Sequence, residues 1–287
     1  MHQSLSNNCV RRSLKTTVLV PSLSGCELKY CLNCRWGFVT HGCIDGYSRV
    51  ITFLQTSTSN EAMVVLNLFA QACAKLGLPS RVRCDRGGEN MDVAIFMTLV
   101  RGDGRASVIA GQSVHNQRIE RLWRDVATQV TEYFYKLFYQ FEDEGVLDVD
   151  DQTHLCALQL VFLPVINARM NNFRQAWNSH RMRTEENRSP QQLWIQGMLQ
   201  NANSGHVATA QVFDQPVSLL PRIQEALQQF NIDLEQFQLH QAGQGLQPPQ
   251  PRFVADSDAV ARVQAAVVGL TDLKDMYTTA VHILRQP

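Results

Sequence analysis

Two carboxylates in this chain stand where they could share a metal ion. Asp85 lies in Cys84-Asp85-Arg86-Gly87-Gly88-Glu89-Asn90, at the end of a short strand-like run, with glycines close behind it. Glu120 lies in His115-Asn116-Gln117-Arg118-Ile119-Glu120-Arg121-Leu122-Trp123-Arg124, near the start of a long helical pattern, with 34 residues between it and Asp85. A carboxylate at a strand end, followed by flexible backbone, leaves an open cluster that suits a hydrated Mg²⁺. A second carboxylate, an early turn into a helix packed beside that strand, can reach the same ion. Phosphodiester chemistry with two ions needs about three such groups, because the ions must activate the attacking oxygen and stabilise the leaving one. Singly, each residue also has an ordinary role: a strand-end Asp caps a turn, and a helical Glu faces water.

The elements that must position these residues follow from periodicity. Residues 1–34 show no sustained period and are expected to form an irregular leader with one short strand at Thr17–Val20. From Arg35 the pattern changes. Phe38, Val39, Cys43 and Ile44 predict a strand, Asp45-Gly46-Tyr47-Ser48 a turn, and Arg49 to Gln55 a returning strand, together a β-hairpin. Met63, Val64, Leu66, Leu68, Phe69, Cys73 and Leu76 predict a helix, stopped by Gly77 and Pro79. Short strands follow at Arg81–Cys84 and Ser107–Ala110, with a helix from about Met91 to Leu99 between them. One long helix is then expected from about His115 to Phe141, and another from Thr153 to about Trp177 with Pro164 inside it. Ser189-Pro190 opens a short helix through Leu199. Beyond residue 200 come helical segments near Arg222–Leu239 and Asp256–Leu270, separated by a Gln/Pro/Gly-rich loop. Strands alternating with helices read as α/β.

The chain has 287 residues, 45% of them hydrophobic and 18% charged, a composition that forms a core. Its formal net charge is +0, but the charge is unevenly spread. Residues 1–140 hold 16 Lys/Arg against 10 Asp/Glu, residues 141–151 hold six acids and no base, and residues 201–287 hold eight acids against five bases. A phosphate-binding face is therefore permitted on the first part of the chain. No apolar run reaches the roughly 20 residues of a membrane helix, and the segment after Arg11, Arg12 and Lys15 is too short for a signal sequence, so no membrane partner is expected. Cys43, Cys73 and Cys84 sit in apolar periodic segments, where a free thiol packs as a small hydrophobe. Cys31-x-x-Cys34, with Cys26, His41 and Cys43 nearby, has the spacing of half a zinc site, but a second Cys or His pair is missing.

Several segments taken together carry a resemblance. Thr40-His41-Gly42-Cys43-Ile44-Asp45-Gly46-Tyr47-Ser48-Arg49, Gly77-Leu78-Pro79, the Asp85 segment, Gly111 to Asp125, and Asn178-Ser179-His180 through Arg183-Thr184 to Ser189-Pro190 and Leu193-Trp194 resemble the integrase core domain. That is the ribonuclease H-like catalytic domain of retroviral-type integrases and DDE transposases, and the chain is also similar to a transposon-derived group of such domains in animal genomes. The resemblance implies a ribonuclease H-like α/β core, a mixed sheet flanked by helices, over residues 35–200, with a mainly helical extension over residues 201–287 whose role stays open. It implies DNA as partner, Mg²⁺ or Mn²⁺ as cofactor, a homo-oligomer and nuclear residence. It makes Asp85 and Glu120 the second and third metal-binding acids and places Asn116 and Gln117 at the active-site rim. Arg118, Arg121 and Arg124, three residues apart on one helix, suit DNA phosphates, and the same spacing also fits a solvated face.

The family's first acid lies on a strand upstream of Arg35-Trp36, where this chain reads Gly25-Cys26-Glu27-Leu28-Lys29-Tyr30-Cys31-Leu32-Asn33-Cys34; no Asp precedes Asp45. Asp45 belongs to a turn, and Glu27, one methylene longer than Asp, stands nearest the missing position. The first strand of the family is thus expected to be lost within residues 1–34. Metal-dependent DNA strand transfer is expected to be impaired, the alternative being a non-catalytic module that binds nucleic acid or protein.

Overall fold

A computed structural model describes residues 15–20, 26–33, 35–84, 88–102, 104, 106–110, 117–201, 225–230 and 256–286, with side chains of the strands before Arg35 and of Ala110, Gln117, Arg118, Glu120 and Asn201 outside the description. The hairpin read from the sequence is present as β3 (Phe38–Asp45) and β4 (Ile51–Ser57), antiparallel with a bulge where Ile44 pairs with Ile51. The turn between them is fixed by Asp45, whose Oδ2 accepts from the Ser48 amide at 2.7 Å, and by Arg49 at φ 65°. β5 (Arg81–Cys84) and β6 (Val108–Ala110) run parallel to one another.

The expectation for residues 1–34 is corrected at the level of elements. The strand near Thr17 is present as β1 (Lys15–Val20), and a second strand, β2 (Cys26–Asn33), lies antiparallel to β3 in the body of the sheet. Its alternation, Leu28-x-Tyr30-x-Leu32, is the half-buried pattern of a strand, masked by the Cys, Glu and Lys residues between. The strand order is β4-β3-β2-β1-β5-β6, with an additional parallel pairing of β2 with β5.

On one face of this mixed sheet lie α1 (Ala62–Leu76) and α2 (Met91–Arg101), sharing a core with Cys43, Phe53, Val82 and Cys84. α1 stops at Gly77, which takes φ 86° and donates its N–H to the Cys73 carbonyl. On the other face lie α3 (Gln117–Val126), α4 (Glu132–Asp143) and α5 (Gln152–Ser179), packed on Phe38, Ile44, Ile51 and Leu54. The single helix expected from His115 to Phe141 is instead α3 and α4 joined by a π-helical turn, Ala127–Thr131. Its buried residues, Val126, Val130, Phe134 and Phe138, repeat every four positions. A straight α-helix would rotate that stripe off the sheet, and the wider π turn brings it back.

α5 runs along the free edge of β4 and covers its backbone with side chains. Asn167 accepts from the Thr56 N–H at 2.7 Å and donates to the Thr56 carbonyl at 2.9 Å. Asn178 does the same at Ile51, at 2.8 and 3.1 Å. The Trp177 indole donates to the Arg49 carbonyl at 2.9 Å. Among the described residues α5 alone is long and apolar enough to cross a membrane, but its apolar side chains are spent on the sheet, α4 and the helices that follow. After α6 (Pro190–Asn201), the C-terminal helices α7 (Ser257–Val267) and α8 (Leu273–Leu284) close the same core: Val263, Tyr277, Ala280 and Val281 are buried with Phe141 and Phe162. α8 was not anticipated from the sequence.

Candidate active site

β5 is the strand that leads to Asp85. Val82 and Cys84 face the α1–α2 side and are buried, as a strand covered on that face requires. Asp85, Arg86 and Gly87 lie outside the described residues. The chain resumes in a 3₁₀ turn, Gly88–Asn90, which packs against α1. Within that turn Glu89 is buried and accepts from the Asn90 side-chain amide at 3.2 Å. Sequence reasoning passed over this acid; its place beside two glycines resembled loop rather than core.

Glu27 falls on β2, in register with Arg83 of β5 and also with Val18 of β1. Strands so paired lie about 4.8 Å apart. The backbone therefore puts the Glu27 position beside the β5 residue two before Asp85 in sequence. Its side chain is outside the description, so the register is what the structure contributes.

The third element is α3. Ile119, Leu122, Trp123 and Val126 form its buried stripe, and the helix packs on β2. The close approach rests on Gly42 of β3: a Cβ built there would stand 3.1 Å from the Trp123 ring and 3.1 Å from a Leu54 methyl. A Cβ at position 42 fits only if the Trp123 ring or the Leu54 methyl gives by a few tenths of an ångström. The Glu120 position follows fully buried Ile119 on this helix, and its side chain lies outside the description, as does that of Arg118. Arg121 and Arg124 are exposed, and neither has an ion pair among the described residues. Asn116 is outside the described residues and Gln117 begins the helix.

The structure thus brings β2, which holds the Glu27 position, against both β5, which ends one residue before Asp85, and α3, which holds the Glu120 position. Among the described side chains, no three His, Cys, Asp or Glu groups gather to hold a metal ion. The donor set named by the sequence is all carboxylate, the oxygen chemistry that Mg²⁺ and Mn²⁺ prefer over zinc or copper.

Two further segments singled out in the sequence meet in space. Arg49, at the end of the hairpin turn, reaches Glu185 at 2.5 Å, tying the turn to the Met182–Arg188 loop after α5. Asp45 is turned inward on Ser48, its Oγ at 2.5 Å from Oδ2. His41 is buried on β3, with its Nε2 3.3 Å from the Ser59 carbonyl. Cys43, Cys73, Cys84 and Cys156 are buried, and none of the four is in a disulfide.

The family model for the integrase core domain matches residues 29–208. A search of curated proteins and one of solved structures each return no match. The matched segment takes in most of β2, the β3–β4 hairpin, the strand leading to Asp85, α3 and the loop held by Arg49, and it spans more than half of the 287 residues. This chain belongs to the integrase core domain family.

Proposed function

We propose that this protein is a DNA-acting integrase- or transposase-like protein of ribonuclease H-like architecture, working in the nucleus as a homo-oligomer, with impaired metal-dependent strand transfer. The observation that carries the reading is the adjacency of three backbone elements: β2 lies parallel beside β5, and α3 packs on β2. Asp85 and Glu120 are the metal ligands in this reading, with Glu27 in place of the family's first Asp. A bound Mg²⁺ or Mn²⁺ supplies Lewis-acid stabilisation of the phosphodiester oxygens. The chain's own residues orient the DNA, with Arg121 and Arg124 on phosphates, and Arg118 completes that row.

Glu27 is the weak point. Ligand geometry at such sites must hold to about 0.5 Å, and an added methylene exceeds that. Strand transfer is therefore expected to fall by orders of magnitude relative to a complete triad. The second reading, a binding module without the reaction, is favoured by the same absence of an Asp before Asp45 together with Arg121 and Arg124, exposed and without an ion pair among the described residues.

A supercoiled-plasmid nicking assay with Mn²⁺ and with Mg²⁺ separates them. The proposal expects slow metal-dependent nicking that Asp85→Asn and Glu120→Gln both abolish and that Glu27→Gln lowers at least ten-fold. Nicking equal in wild type and Asp85→Asn, from protein with a cooperative unfolding transition, would leave the binding module. In either case Arg121→Gln with Arg124→Gln should weaken duplex binding and reduce the slope of log affinity against log salt by about two.

A further inference from the structure

A pocket of about 430 Å³ lies at the far side of the sheet from β5, where β4, α1 and α5 meet. β3 and β2 lie between its edge and the strand that leads to Asp85, so it is no part of the candidate active site. Phe53, Leu54, Leu68, Ala72 and Pro164 give it an apolar lining, and its polar lining holds two cations, Lys75 and Arg174, four side-chain amides and no carboxylate.

Arg174 is incompletely satisfied. One of its Nη atoms donates to the Thr52 carbonyl at 3.4 Å and the other to Asn171 Oδ1 at 2.9 Å. No carboxylate among the described residues pairs with it, and burial lowers its pKa from the ordinary value. A partly desolvated guanidinium with N–H groups to spare is a strong site for a carboxylate, which it can take in bidentate fashion. Lys75 stands exposed on the same rim, also without an ion pair among the described residues.

The β4 backbone supplies a second recognition element. Thr56, held by Asn167, and Thr52, whose carbonyl takes Arg174, turn their backbone groups away from β3. Alternation then turns the Leu54 N–H and C=O the same way, into the pocket that Leu54 lines. No side chain among the described residues hydrogen-bonds Leu54, so one donor and one acceptor of the strand edge remain on offer between the two positions that α5 covers. A free anion has no use for that carbonyl. A peptide does, because its N–H and C=O pair with a strand edge as another strand would.

We propose that this pocket is a docking site for an acidic residue on an extended segment of a partner protein, its backbone paired with Leu54 and its carboxylate bound by Arg174 and Lys75. The apolar lining takes the aliphatic stem of the acidic side chain. The recess favours a side chain over the phosphates of a duplex, which need an open, convex-accepting surface. This inference does not depend on catalysis by Asp85 and Glu120.

The test titrates the full chain with the blocked tripeptide acetyl-Ala-Glu-Ala-methylamide, followed by ligand-observed NMR. Saturable binding is expected, weakened at least ten-fold when Gln replaces Glu in the peptide or when the peptide nitrogen that faces the Leu54 carbonyl is methylated. Lys75→Gln, at an exposed position, should weaken it about three-fold without changing the thermal transition, and Arg174→Gln should abolish it. Glutarate binding as tightly as the tripeptide would make this a small-acid site and overturn the proposal. So would equal binding of the Gln peptide, displacement of the tripeptide by a short DNA duplex at equal charge concentration, or no binding of the tripeptide.

Discussion

At the scale of single residues, His41 gives the chain a measurable pH response. Burial pushes its imidazole down to about 4, with the Ser59 carbonyl partly opposing the shift. In the unfolded chain the ring titrates near its ordinary 6.5. Between those values the unfolded chain takes up a proton that the folded one refuses, so stability falls as pH drops from about 6.5 to about 4 and the effect levels off below. The whole span corresponds to about 3 kcal/mol at most. Urea denaturation at pH 7 and pH 4.5 should show wild type losing more stability than His41→Gln over that interval; parallel losses would mean that His41 is not the group responsible. The same strand shows how a glycine can be read only with its neighbour. Gly42 is one letter of a recognisable segment in the sequence, and its reason, the Trp123 ring lying across it, belongs to a helix some 80 positions away in the chain.

At the scale of elements, the most instructive contact is α5 on the sheet edge. An unpaired strand edge invites pairing with other chains, and proteins cover or charge it. Here Asn167 and Asn178 each present an amide to the N–H and C=O of one β4 residue, as a neighbouring strand would. Removing either to Ala leaves that backbone pair part-buried and unbonded, at about 1–3 kcal/mol each. The two asparagines lie 11 residues apart, about 16 Å along the helix. Their effects should therefore add within about 0.5 kcal/mol in the double variant. A urea titration of the four proteins checks this, and a large deficit or excess would show that the edge opens as a unit.

The sequence carried local information well at this scale. The β3–β4 hairpin, α1 with its Gly77 stop, β5 and α6 were all legible, because each is set by turn chemistry or by periodicity within about 15 residues. β2 was not, since its sequence intersperses Cys, Glu and Lys where a buried strand normally shows aliphatic residues. The π turn was missed because a four-residue spacing passes for ordinary helix until one asks where the sheet is. The candidate site divides in the same way. Asp85 and Glu120 stand out from local spacing and family likeness, whereas the place of Glu27 depends on the β2–β5 register, which only the assembled sheet supplies.

At the scale of the whole molecule, the core is shared by parts of the chain far apart in sequence. Tyr277 of α8 stacks on Phe141, with ring centroids 5.5 Å apart, and its hydroxyl lies 2.8 Å from His154 Nδ1. Arg285 adds contacts with Asp151 and with His154 Nε2, both at 2.9 Å. The matched family segment ends at residue 208, so this closing hairpin is an addition to it. Tyr277→Ala is expected to lower stability by about 3–5 kcal/mol and to raise binding of an apolar-surface dye; Tyr277→Phe, which keeps the ring and loses the hydroxyl, should lower it by about 1 kcal/mol. If Tyr277→Ala unfolded at the wild-type urea midpoint, α8 would be an ornament on a core complete without it.

The Tyr277–His154 contact spans 123 positions, and that distance is also a delay. A ribosome adding about 5–20 residues per second takes roughly 6–25 seconds to cross it. During that interval α4 and α5 have emerged while the helix that seals them is still unmade. Nascent chains of this protein thus pass through a stage with an aromatic surface around Phe141 open to solvent, and their yield in a cell depends on what shelters that surface until Tyr277 arrives.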